Sequence, residues 1–272
     1  MSPPFSRYAI VLIAAAGIGL VPPPAGALDP ERDCSMPERF YTFEPKLIKT
    51  GKALASGREV VIVALGGAST VGRAAGGLDL AWPARLGATL PNRFPSARAK
   101  VVNLAVARQT AKEGVDRLAR DVLPLKPTLV IWETGTMEAV RGSDVDDFRE
   151  TVQAGISRLH AAKTEVVLMD MQFSRDADAM IRFEPYLLTM AQLADANDVP
   201  LFRRHDIMRY WAESGFLDLR VRDGEKRRQL AAKLYDCIGR AMADFVARGI
   251  PPPKPPASSS GNRERVSRPG AD

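Results

Sequence analysis

Five short apolar runs punctuate the middle of the chain, at 59–65, 99–104, 127–133, 164–170 and 199–203, and helical patterns alternate with them. Each run is short and mostly β-branched or apolar, the signature of a strand buried on both faces. The first is the most informative. Glu59-Val60-Val61-Ile62-Val63-Ala64-Leu65 breaks into Gly66-Gly67-Ala68-Ser69-Thr70-Val71-Gly72, a strand feeding a tight loop. A helix is expected over 144–162, with Ser143 as N-cap, Asp146 three residues on, and Val145, Phe148, Val152, Ile156 and Leu159 on one face. The last helix, about 224–248, places Leu230, Leu234, Cys237, Ile238, Ala241 and Phe245 together, with Gly249 as its expected cap and prolines behind it. This alternation predicts an α/β fold: a three-layer α/β/α sandwich around a mostly parallel five-stranded sheet. Its carboxyl edge would gather residues 66–72, 105–110, 134–138, 171–174 and whatever follows 199–203, and ligands sit at that edge in open α/β sheets.

The flanks divide the chain further. Residues 1–27 read as a signal peptide: Arg7, an apolar run from Ala9 to Val21, a triple proline, and Ala25-Gly26-Ala27 before cleavage after Ala27. Periplasmic or secreted localisation follows, and no later segment is apolar enough to span a membrane. Residues 28–58 read as an extended N-terminal arm, 59–250 as the domain, and 251–272 as a disordered Pro/Ser/Arg-rich tail. The net charge of +6 and pI of about 9.5 shrink on inspection. Removing Arg7 and the tail's four basic and two acidic residues leaves +3 for the body, with no basic run, which argues against a nucleic-acid partner. Cys34 and Cys237 are the only cysteines. An oxidising compartment favours a bridge between them; the alternative is two unpaired thiols, Cys237 packing within its helix.

Three loops and one run then show a resemblance. Ala64 to Gly72, Val102-Asn103-Leu104-Ala105-Val106-Ala107, and Ile131-Trp132-Glu133-Thr134-Gly135-Thr136-Met137-Glu138 resemble the first three blocks of the SGNH, or GDSL-type, hydrolases. The run from Phe216 to Arg228 sits where the fifth block belongs. Order and spacing agree over about 59–247, and the flanks look like exported bacterial members. The resemblance implies a serine nucleophile, a histidine base with an aspartate, and oxyanion donors from a serine amide, a glycine amide and an asparagine amide. Those positions fall here on Ala68, Ala105, Met137, Leu217 and Arg220. None offers the side-chain chemistry required.

What remains are substitutes. Ser69 lies one residue from the nucleophile position and Asp218 one from the aspartate. His205, with Asp206 beside it, follows the fifth strand, whereas His160 should lie at the opposite edge near a helix end. Ser69 with His205 would be the fallback dyad of a weak, re-invented carboxylester hydrolase. Otherwise Ser69, Arg108, Glu138 and Arg220 are the candidate ligand-binding residues, with an ion pair such as Glu138–Arg220 as the structural alternative. Trp82, Trp132 and Trp211 are expected in the core or rim. The glycines form neither a phosphate-cradling loop nor a nucleophile elbow, and two histidines with two distant cysteines make no metal site, so no cofactor is expected. The resulting expectation is an exported hydrolase-like protein without catalysis, a ligand-binding or scaffold protein whose partner is a cell-envelope glycan or envelope protein. A protein-interaction module using the tail is a third class.

Overall fold

The computed structural model describes residues 34–41, 44 and 46–252; the expected signal peptide, 1–27, and residues 253–272 of the expected tail lie outside them. Five strands form one wholly parallel sheet: β1 (Glu59–Leu65), β2 (Arg98–Asn103), β3 (Leu129–Glu133), β4 (Glu165–Met169) and β5 (Leu201–Phe202), in the order β2-β1-β3-β4-β5. Alternate residues of each strand enter two separate cores. Ile62, Ala64, Leu129, Ile131, Val167 and Met169 face one core, and Val63, Leu65, Val130, Trp132, Val166 and Leu168 face the other. Helices α1 (Ile48–Ala55), α3 (Trp82–Arg93), α9 (Arg204–Glu213) and α10 (Gly224–Arg248) cover the first face. The second is covered by α4 (Ala111–Asp116), α6 (Val145–Ala161) and α8 (Glu184–Ala196). Three short helices, α2 (Ala68–Val71), α5 (Thr136–Arg141) and α7 (Arg175–Met180), follow β1, β3 and β4 at the carboxyl edge. The three-layer α/β/α sandwich is therefore observed.

The strand order reverses between β1 and β3, which pair through Leu65 and Trp132. That reversal opens a crevice beyond their carboxyl ends, the usual ligand position in such sheets.

Several local expectations need correction. The fifth strand is only two residues long, because Pro200 has no N–H and contributes only its carbonyl, to Leu168 N at 3.0 Å. The N-cap of α6 is Asp144, not Ser143: its Oδ1 accepts from the N–H groups of Asp146 (2.8 Å) and Asp147 (3.0 Å). Gly249 closes α10 in right-handed geometry, φ −70°, so it is not a left-handed cap. Its backbone is approached instead: Leu47 N–H donates to its carbonyl at 2.8 Å, and an added Cβ would lie 2.8 Å from Leu47 Cδ1. The N-terminal arm is not extended. It contains a 3-10 turn, Glu38–Tyr41, and α1, whose Lys49 and Thr50 N–H groups are capped by the Glu165 carboxylate at 2.6 and 2.8 Å. Cys34 and Cys237 form a disulfide that ties this arm to α10. Trp82, Trp132 and Trp211 are all core residues. Among the described residues no helix is long and apolar enough to cross a membrane.

Candidate functional site

The crevice is closed from below by one carboxylate. Glu133 ends β3, where all five residues are buried, so its side chain rises into the turn between β1 and α2. Its Oε2 accepts from Gly67 N–H (3.0 Å), from Ser69 Oγ (3.1 Å) and from Thr70 Oγ1. Its Oε1 meets Arg204 Nη2 at 3.1 Å. Arg204 Nη1 also donates to Ser69 Oγ at 2.8 Å. Gly66 is required here, since a Cβ would come within 2.6 Å of Glu133 Oε2. Burial alone would raise the Glu133 pKa, but the Arg204 charge, the Thr70 hydroxyl and the Gly67 N–H outweigh it. The carboxyl is held below its ordinary value. Trp82 Nε1–H donates to Thr70 Oγ1 at 3.1 Å and completes the network.

The second loop is stitched to the first by Asn103. Its Nδ2 donates to the Thr70 carbonyl at 2.6 Å, and its Oδ1 accepts from Ala105 N–H at 3.0 Å. The one backbone donor at Ala105 is thus already engaged. Ala68, at the nucleophile position, is exposed, and Met137, at the asparagine position, is half-buried with no donor in its side chain.

His205 belongs to a different cluster. Its backbone N–H donates to Asp170 Oδ1 at 2.9 Å, its Nε2 lies 3.1 Å from Asp178 Oδ2, and the Asp206 carboxylate is 3.9 Å from Nδ1. Burial disfavours the imidazolium, yet Asp206 and Asp178 overcome it and the pKa stands above the ordinary imidazole value. Asp170 is pushed up to about 7 by burial. The imidazole packs edge-on against Phe173 at 5.4 Å and lines a cavity of about 690 Å³ between α7, α8 and α9. Ser69 and His205 thus spend their hydrogen bonds on different partners, and the two do not form a dyad.

The remaining candidates are also dispersed. Glu138 is buried, its Oε1 accepting from Ala111 N–H (2.6 Å) at the start of α4, and burial raises its pKa. Arg220 is exposed and pairs with Asp218 at 3.3 Å. The anticipated Glu138–Arg220 pair is therefore not formed: Glu138 is buried against the start of α4, and the exposed Arg220 pairs with its near neighbour Asp218. Arg108 is exposed at φ 66°, in the loop after β2. Leu217 is core. His160 is exposed in the last turn of α6, at the amino edge of the sheet. Among the described residues no three His, Cys, Asp or Glu side chains are grouped to hold a metal ion. The sequence reading missed Arg204, Asn103 and Asp170. For Arg204 a signal existed: it shares a helical face with Met208 and Trp211, at i+4 and i+7, and that face is buried.

Comparison with solved structures places these loops on a familiar scaffold. A catalytic mutant of Axe2, an acetylxylan esterase from Geobacillus stearothermophilus, aligns at TM-score 0.55 and 18% identity, over 69% of this chain and 94% of that one. A two-domain esterase active on acetylated mannans aligns at TM-score 0.58 and 18% identity, over 79% of this chain and 58% of that one. The esterase EstA from Pseudoalteromonas sp. aligns at TM-score 0.50 and 18% identity, over 67% of this chain and 98% of that one. Comparison with curated protein sequences finds no match. The Non-GDSL lipase-like family matches residues 33–252. That match spans the whole sheet and each of its carboxyl-edge loops, and the chain belongs to this family, within the SGNH/GDSL-type hydrolase superfamily.

Proposed function

We propose that the protein keeps the SGNH fold without its ester-cleaving machinery, and acts as an exported binding or scaffold protein whose ligand is a glycan of the cell envelope. The bonding of Ser69 carries this reading. A nucleophilic hydroxyl needs a base within hydrogen-bond reach and free donors for the oxyanion. Ser69 instead donates to a carboxylate whose pKa is lowered, a poor base, and accepts from Arg204. The Ala105 N–H that could have served the oxyanion is committed to Asn103. Export is supported by the leader-like first 27 residues and by a disulfide of the kind that persists in oxidising compartments.

The test is an assay of p-nitrophenyl acetate hydrolysis and fluorophosphonate labelling on the purified, oxidised protein, beside Ser69→Ala and His205→Ala. The expected result is a folded protein with the buffer rate and no label. Turnover above buffer that both substitutions abolish would overturn this reading in favour of an esterase built on Ser69 and His205.

A further inference from the structure

Beside the blocked crevice, the same edge of the sheet carries a pocket of about 570 Å³. Its walls are the β4–α7 loop, the irregular connection between α9 and α10, and the first turns of α10. Small-molecule sites occupy roughly this size range, about 300–1,000 Å³. Four arginines line it, Arg175, Arg220, Arg222 and Arg227, against two carboxylates, Asp176 and Asp218. The carboxylates hold their partners loosely: Arg220 lies 3.3 Å from Asp218, Arg222 lies 3.6 Å from Asp176, and all four side chains are exposed. Such pairs are weak, so the guanidinium groups are free to turn to a ligand. Arg175 and Arg227 make no ion pair among the described residues.

The local sequence is also unfavourable for the helix it starts. Lys226, Arg227 and Arg228 stand in the first turns of α10, where cations oppose the helix dipole. The N-cap carboxylate of Asp223, which accepts from Lys226 N–H at 2.8 Å, and the first-turn Glu225, 3.7 Å from Arg228, offset part of that cost and leave Arg227 facing the pocket.

The rest of the lining narrows the ligand. It contains no aromatic side chain, so bases and neutral sugars find no stacking platform. Gln172, Ser174, Asp176 and Asp218 bond well to hydroxyl groups, which a sugar chain carries and inorganic phosphate offers far fewer of. Separated guanidinium forks suit separated carboxylates. We infer that this pocket binds an oligosaccharide containing uronic acids, the arginines taking carboxylates and the intervening polar groups taking hydroxyls. The inference rests on the proposed role as a glycan binder and names the class of glycan.

The test titrates fluorescently labelled hexagalacturonate into the oxidised protein at low salt, with xylohexaose and inorganic phosphate as competitors. Binding is expected, neither competitor should displace the probe at equal concentration, and Arg175→Gln with Arg220→Gln should weaken binding at least tenfold. Arg222→Gln with Arg227→Gln is a second, independent pair with the same expectation. Lys52→Gln with Arg58→Gln, exposed at the opposite edge, should leave binding unchanged. Absence of binding, displacement by the neutral hexamer or by phosphate, or unchanged binding in both pocket variants would overturn the inference. Esterase activity measured on the same preparation separates the two readings. Turnover with intact uronate binding refutes only the loss of catalysis, whereas an inert protein that ignores the uronate refutes only the ligand.

Discussion

Replacing Arg204 by methionine should be among the most damaging single changes in this protein. The guanidinium and the Glu133 carboxylate are 2% and 4% exposed and 3.1 Å apart. At an effective dielectric near 20 their attraction is worth about 5 kcal/mol. Without Arg204, Glu133 keeps the Gly67 N–H and two hydroxyls but loses its counter-charge, and such a half-broken buried pair destabilises by about 3–5 kcal/mol. Glu133→Gln should cause a comparable loss by stranding Arg204. The double variant Glu133→Gln with Arg204→Met removes both charges, and should recover most of the loss, leaving about 1–2 kcal/mol for hydrogen bonds of altered quality. The assay is urea unfolding followed by tryptophan fluorescence, reading midpoint at constant slope. The Glu133 pKa is lowered by folding, so its contribution is fully present above the unfolded value and is lost as pH falls through the folded one. Wild type should therefore show an acid-side loss that the double variant lacks. A loss below about 1 kcal/mol in Arg204→Met, or a double variant as unstable as the two singles summed, would refute the buried-pair account.

Two further outcomes follow from the geometry. Asp170 has the opposite sign: its folded pKa of about 7 lies above the unfolded value, so stability should fall as pH rises from about 4 to about 7 and level off above that, by up to about 4 kcal/mol. Asp170→Asn, which still accepts from His205 N–H, should flatten that slope in urea midpoints measured at pH 4.5 and pH 8; identical slopes would contradict it. Cys237→Ser opens a bridge between residues 203 apart, worth about 5 kcal/mol as an upper figure in the chain-entropy model, and should lower the thermal midpoint of the oxidised protein to that of the reduced one.

The sheet was legible because a parallel strand covered on both faces must be apolar throughout, which is how Leu129–Trp132 and Val60–Leu65 read. The edge strand was overestimated because its apolar run includes Pro200, whose missing N–H stops the ladder. The Asp144 cap was misplaced by one residue because Ser143 and Asp144 are both good caps, and only backbone geometry chooses between them. At the site, the absence of chemistry at Ala68, Met137 and Arg220 could be read from residue identity alone. What occupies the crevice could not. Glu133 closed the third apolar run as a carboxylate beside the third loop, and nothing in the sequence tied it to Arg204 until the fold brought β3 and α9 beneath the same turn. Long-range pairing of buried charges, 71 residues apart here, leaves no local periodicity to detect.

The bridge between Cys34 and Cys237 also constrains how the molecule comes into being. With two cysteines in the whole chain, a single molecule has no scrambled isomer to escape from. The only wrong partner for Cys34 is a cysteine of another molecule. Helix α10, which with α1, α3 and α9 covers one face of the sheet, is the last of these helices to be made. Until α10 docks, the Cys34 thiol has no partner within its own molecule, so in an oxidising compartment the yield of correctly closed protein becomes a question of concentration and timing.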